Sequence, residues 1–379
     1  MSATRMRAAQ PAPVSFLDPS AGYRELRDEL DAAYERVMAS GHYIGGEEVQ
    51  AFEDEFAHCC GTPYAVGTGN GLDALTLTLR AAGIGDGDEV LVPAQTFIAT
   101  WLAVTEAGAT PIGVDVDPDT LCIDPAATAD AIGPRAAAIL PVHLHGRLAA
   151  MDALSALASR HGLFLLEDAA QAHGARLQDR PAGSLGDAAA FSLYPAKNLG
   201  AFGDAGVVTC RDAQLAARVR RLGSYGSAER YVHMEAGVNS RLDPLQAAFL
   251  RVKLGALQRW NARRAAIAAR YLDGLDATAG LTLPAPAGAD HVWHVFCVRH
   301  PRRDELAAWL QRAGIETLIH YPVAPHRSGA FMHLGLGPGS FPVAEAAAST
   351  SLSLPIGPHL SDTDADRVID AVRSYARNT

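Results

Sequence analysis

Short apolar runs alternate along most of the chain with segments whose apolar residues recur at helical spacing. The runs fall at 64–67, 89–93, 110–116, 137–143, 164–167, 189–194 and 206–210. Helical spacing marks 71–82, 96–107, 151–160 and 213–222 between them, and 23–38 and 47–58 ahead of them. Strands that read as near-continuous apolar runs, separated by helices, call for a mainly parallel sheet covered on both faces. The pattern predicts an α/β domain with a seven-stranded sheet sandwiched by helices.

The pattern changes beyond it. A long helical stretch, 244–275, is followed by a break rich in Pro, Ala and Gly at 283–290. A strand at 292–299, a helix at 303–313, a loop rich in Pro, His and Gly through 342 and a last helix at 363–377 read as a smaller α+β domain. The expected organisation is an N-terminal arm (1–15), a large α/β domain (16–250) and a small C-terminal α+β domain (251–379) that includes the linking helix. No internal repeat is found.

Composition narrows the function class. The chain has 379 residues, 49% apolar and 20% charged, with a net charge of −10, so a globular fold is expected and a clustered basic face for nucleic acid is not. Its longest apolar stretches, such as 136–144, are strand-length, well short of the ~20 residues that span a bilayer. The first residues carry Arg5, Arg7 and two prolines without an apolar block, which reads as a loose arm and places the protein in the cytoplasm. Five cysteines, an odd number with no CxxC spacing, read as reduced thiols.

Candidate chemistry gathers where strands end. The run GTGNGLDAL puts Gly67, Gly69 and Gly71 between a strand and a helix, where backbone N–H groups and the helix start suit a phosphate. It is not GxGxxG, and Asp88 and Glu89 precede their strand instead of closing it, which counts against a nicotinamide cofactor. In FLLEDAAQAHGA an apolar strand delivers Glu167, Asp168, Gln171 and His173 to its C-terminal edge. In AAFSLYPAKNLGAFGDAG a strand delivers Ser192, and an irregular loop then presents Lys197 among small and apolar residues. Desolvation there lowers an amine's pKa, as a Schiff-base lysine needs. Pyridoxal phosphate requires an amine, a carboxylate for its ring nitrogen, an aromatic face and an anion cradle. Lys197, Asp168, Phe97 and the Gly69 turn supply these, and Ser192 adds a hydroxyl for the phosphate. His143 and His145 alternate on a strand, but without acidic ligands nearby they read as hydrogen-bonding residues and no metal is expected.

The runs VPAQTFIATWLAV, EDAAQAHGA, FSLYPAKNLGAFGDAG and GVNSRLDPLQAAFLRVKL resemble the DegT/DnrJ/EryC1/StrS family of sugar-nucleotide aminotransferases, from SGHYIGG to TLIHYPVAPH. The resemblance implies the fold type I architecture of pyridoxal-phosphate enzymes, with Lys197 as Schiff-base lysine, Asp168 as pyridine partner and Gln171 near the ring hydroxyl. It places Ser192 on the phosphate, Phe97 on the ring face, and the phosphate turn on Gly69 and Asn70, where this chain departs from the commoner Ala-Ser pair. It further implies an obligate homodimer with shared sites, Asn239 reaching the neighbouring subunit's phosphate, and substrate contacts at Tyr194, His320, Tyr321 and His326. The form KNLGAFGDAG resembles the branch that aminates C3 of dTDP-linked 3-keto-6-deoxyhexoses with glutamate as donor. C4 amination, a keto-inositol substrate and a non-catalytic cofactor-binding regulator are the alternatives; the dehydratases of this fold carry histidine at the lysine position.

Overall fold

The computed structural model describes residues 12–276 and 278–378, so most of the expected arm, Arg5 and Arg7 included, lies outside the described residues. Seven strands form the main sheet: β1 (Tyr64–Thr68), β2 (Glu89–Pro93), β3 (Thr110–Val114), β4 (Ala136–Ile139), β5 (Phe164–Asp168), β6 (Ala188–Ser192) and β7 (Gly206–Cys210). Their order across the sheet is β1-β7-β6-β5-β4-β2-β3. β7 runs antiparallel to β1 and β6, and the other pairings are parallel.

Alternation along each strand feeds two buried layers. Ala189 and Phe191 of β6 pack into one core with Leu91, Ile139 and Leu165. Ala188 and Ala190 pack into the other with Val90, Val92, Leu166 and Trp101. Both faces are dry, which is why these strands read as unbroken apolar runs. The helix Pro244–Leu275 contributes Ala247, Leu250 and Leu257 to the first of these cores, then Ile267, Ala268, Tyr271 and Leu275 to a third. That third core lies beneath the antiparallel pair Phe296–Arg299 and Ser351–Leu354.

Two strand expectations are corrected. The run 137–143 is a strand only to Ile139; Pro141 has no N–H for a ladder, and Leu144–Gly146 is a 3-10 turn with His145 at φ 60°. His143 and His145 therefore do not share a strand face. The strand expected at 292–299 begins at Phe296, because Trp293 sits at φ 51°, outside extended backbone.

Candidate active site

β1, β2, β5 and β6 all point the same way, so their C-terminal ends share one edge of the sheet. Open α/β sheets bind ligands along such an edge. From β1 comes the Gly69–Asn70 turn, from β2 the segment 94–97, from β5 Asp168 and Gln171, and from β6 Ser192 and the loop carrying Lys197.

Asp168 is 5% exposed. Its Oδ2 accepts from Thr100 Oγ1 at 2.8 Å and its Oδ1 from the Ala170 N–H at 3.2 Å. No lysine or arginine pairs with it among the described residues. Burial raises its pKa, while the Thr100 and Ala170 hydrogen bonds and the charges of Lys197 and His143 pull the other way. Lys197 is half-buried, and its Nζ makes no hydrogen bond among the described residues. Desolvation lowers this amine to about 8 against the opposing pull of the Asp168 carboxylate. Burial also keeps the imidazoles nearby neutral, with His145 and His173 at about 3 and His320 at about 4.

The glycine turn after β1 is tight. A Cβ at Gly71 would come within 2.7 Å of Ser192 Cβ, so only glycine lets the helix Gly71–Ala81 start against that strand end. Gly69 donates its N–H to Ser240 Oγ at 2.9 Å. The Asn70 side chain is occupied as the helix cap, accepting from the Asp73 N–H at 2.8 Å. Its Oδ1 is thus taken and its Nδ2 donates one hydrogen to Asp73 Oδ2 at 3.0 Å, whereas the N–H groups of Gly71 and Leu72 keep the orientation that anions favour.

Phe97 is 53% exposed, an apolar ring left open beside this edge, with the Tyr321 ring at 5.2 Å. Gln171 is pinned at both ends, accepting from the His145 N–H at 2.5 Å and donating to Tyr321 Oη at 2.9 Å. Tyr194, exposed, and His320, half-buried, line one cavity of about 810 Å3. His326 stands apart: it is 1% exposed, bonded to Glu345 at 3.0 Å and packed edge-on to Phe341. Asn239 is exposed, at the end of the segment 225–239 that also exposes Tyr225, Tyr231, Met234 and Val238.

The donor set fits pyridoxal phosphate. A buried carboxylate without a cationic partner suits a protonated ring nitrogen, an unbonded amine suits the aldehyde, and the glycine cradle suits the phosphate. His143 is bonded to Glu167 at 3.0 Å, and among the described residues no cluster of three or more His, Cys, Asp or Glu is placed to hold a metal. Sequence reasoning missed Thr100, Ser240, Asn198 and His294. Only Thr100 left a signal, its place four residues after Thr96, whose hydroxyl lies 2.8 Å from its own although Thr96 precedes the helix Ala99–Glu106.

Residues 24–373 match the DegT/DnrJ/EryC1/StrS aminotransferase family. The chain is 54% identical over 364 residues to the dTDP-3-amino-3,4,6-trideoxy-alpha-D-glucose transaminase of Streptomyces venezuelae, spanning 96% of each. It resembles the crystal structure of S. venezuelae DesV at 53% identity and TM-score 0.95, over 97% of this chain and 100% of that one. The crystal structure of ntda from Bacillus subtilis with bound cofactor pmp is similar at 29% identity and TM-score 0.91, over 99% of this chain and 87% of that one.

Proposed function

The chain belongs to the DegT/DnrJ/EryC1/StrS aminotransferase family, and from that membership we propose that it aminates C3 of a dTDP-linked 3-keto-6-deoxyhexose with glutamate as amino donor. The observation that carries this reading is the pairing of an unbonded, desolvated amine at Lys197 with the buried carboxylate of Asp168 on one sheet edge. The position on the sugar follows the relative whose name specifies a 3-amino sugar. A non-catalytic regulator has no need of the amine and acid together.

When bound, pyridoxal phosphate supplies an aldehyde for amine exchange and a ring that draws electrons from the carbon losing its proton. Lys197 Nζ holds it. Freed from that bond, the same nitrogen would be the base and acid that moves a proton at the donor's amine-bearing carbon and at the sugar carbon, a role worth ~10²–10⁴-fold. The Asp168 carboxylate, oriented by Thr100, keeps a proton on the ring nitrogen. Ser192 and the backbone N–H groups that open the helix after the Gly69–Asn70 turn would take the phosphate, Phe97 would cover one ring face, and Gln171 would face the ring hydroxyl.

The second subunit is part of this proposal. The apolar side chains exposed on 225–239, Tyr231 at 80% among them, suit burial against another copy of the chain, and Asn239 beside them would reach that copy's phosphate. If so, Lys197→Ala and Asn239→Ala each lower activity, yet co-refolded mixtures regain it, because the mixed dimer holds one site free of both changes. A mixture no more active than its parts rules out sharing. The free thiols, four of the five buried, suit a reducing cytoplasm. Among the described residues no helix is long and apolar enough to cross a membrane.

The direct test is the purified holoenzyme with glutamate and a panel of dTDP-3-keto sugars, dTDP-4-keto sugars and keto-inositols, reading the product by mass and by NMR position. An amino group at C3 is expected. Product only at C4, or only from a cyclitol, overturns the substrate assignment.

A further inference from the structure

A chain of side-chain amides fixes one wall of the cleft. Asn261, on the helix Pro244–Leu275, donates from Nδ2 to the His173 carbonyl at 2.8 Å. A carbonyl only accepts, so the amide's orientation is settled and its Oδ1 receives Asn198 Nδ2 at 2.8 Å. Asn198 Nδ2 donates its second hydrogen to the Val292 carbonyl at 3.0 Å. That leaves Asn198 Oδ1, which lies 3.0 Å from His294 Nδ1, as an acceptor. Two backbone carbonyls therefore dictate the tautomer: His294 carries its proton on Nδ1, and Nε2 keeps a bare lone pair.

That lone pair has no protein partner among the described residues, nor is it sealed away from solvent. His294 is half-buried and lines the cavity of about 810 Å3 with Tyr194, Ala196 and His320, next to Lys197 in the chain. Burial, reinforced by the nearby Lys197 charge, holds the imidazole well below its ordinary pKa, so it stays neutral at pH 7. Among the described residues the lining of this cavity carries Asp304 and Glu316 and no lysine or arginine. Asp304 is neutralised by Arg303 at 2.6 Å, so this lining offers no free cation to a diphosphate and leaves neutral polar groups for the hydroxyls of a sugar.

We propose that His294 determines specificity in the sugar half of the reaction, its Nε2 accepting a hydrogen bond from a hydroxyl of the hexose ring in the tautomer that Asn261 and Asn198 impose. This rests on the nucleotide-sugar reading above. A hexose lacking that hydroxyl forfeits the hydrogen bond while covering the lone pair and binds more weakly, whereas glutamate is indifferent to the position.

The test uses the holoenzyme and separates the two half-reactions. His294→Leu is expected to weaken calorimetric binding of the nucleotide-linked amino sugar about tenfold, the size of one neutral hydrogen bond, and to lower the keto-sugar half-reaction alike. The glutamate half-reaction changes less than about twofold, and His294→Gln, whose Oε1 can occupy the place of Nε2, regains most of the binding. Equal losses in both half-reactions, no loss in either, or no difference between Leu and Gln overturns the assignment. Should the Leu variant misfold, ¹⁵N spectra of histidine-labelled wild type decide. With His294 assigned by its loss in His294→Gln, Nε2 must be the unprotonated nitrogen and must respond to the sugar, and a bare Nδ1 or an unresponsive Nε2 overturns the inference. Wild type that reacts with glutamate yet neither binds nor aminates any nucleotide-linked sugar overturns the substrate reading, and this inference with it.

Discussion

Lys197→Ala abolishes turnover and removes the covalent attachment of the cofactor. The loss exceeds the ~10²–10⁴-fold of one general acid/base, because the same nitrogen also anchors the cofactor. Reduction of the wild-type holoenzyme with borohydride and peptide mapping should find the label on the peptide containing position 197. A second amine makes this discriminating. Lys253 is also buried and lowered to about 8, but its Nζ is committed to the Gly200 carbonyl at 2.7 Å and sits 3.5 Å above the Phe202 ring. It serves to hold the loop that presents Lys197, so Lys253→Ala keeps the label at 197, and a label on 253 in wild type refutes the assignment. The pH dependence follows from the lowered amine. Below its pKa the ammonium cannot attack, so capture of pyridoxal phosphate by the apoenzyme rises about tenfold per unit up to pH about 8 and levels above it. An ordinary lysine would keep rising to about 10.4. Stopped-flow absorbance against pH separates the two.

How much of this was legible depends on how far apart the partners lie along the chain. The strands 89–93 and 206–210 match β2 and β7 to the residue, since a strand buried on both faces writes a continuous apolar run. Where backbone conformation departs from the run, periodicity carries no warning, as at Trp293 and His145 with positive φ. Lys197 and Asp168 were visible because Asp168 ends one apolar strand and Lys197 follows another by five residues. Their supports were not: Thr100 reaches Asp168 across 68 positions, and Asn198 joins Asn261 and His294 across 63 and 96. Asn70 shows the converse limit. Its departure from the commoner Ala-Ser pair left backbone contacts to a phosphate possible and the side-chain contact in doubt, and the structure gives the side chain to capping the helix that the residue opens.

Asp168→Asn keeps much of the cofactor and loses most of the proton transfer. The asparagine amide fills the same volume and leaves Lys197 to hold the cofactor, so the visible absorbance band persists. What disappears is the negative charge that keeps the ring nitrogen protonated. A charge-assisted hydrogen bond contributes ~1.5–3 kcal/mol, and each 1.36 kcal/mol is tenfold in rate, so the single-turnover step with glutamate should slow at least about 10–100-fold. Burial without an ion pair raises the pKa of this carboxyl, and Thr100 limits the rise. As pH falls the carboxylate takes a proton and ceases to hold one on the ring nitrogen. Wild type should therefore show an acid limb in the single-turnover profile, and Asp168→Asn should lack it. Thr100→Val, which deletes one hydrogen bond to the ionised form, should move the limb to higher pH. An Asp168→Asn variant with near-normal single-turnover rates, or one that retains the limb, shows that the electron-drawing ring does not depend on this carboxylate.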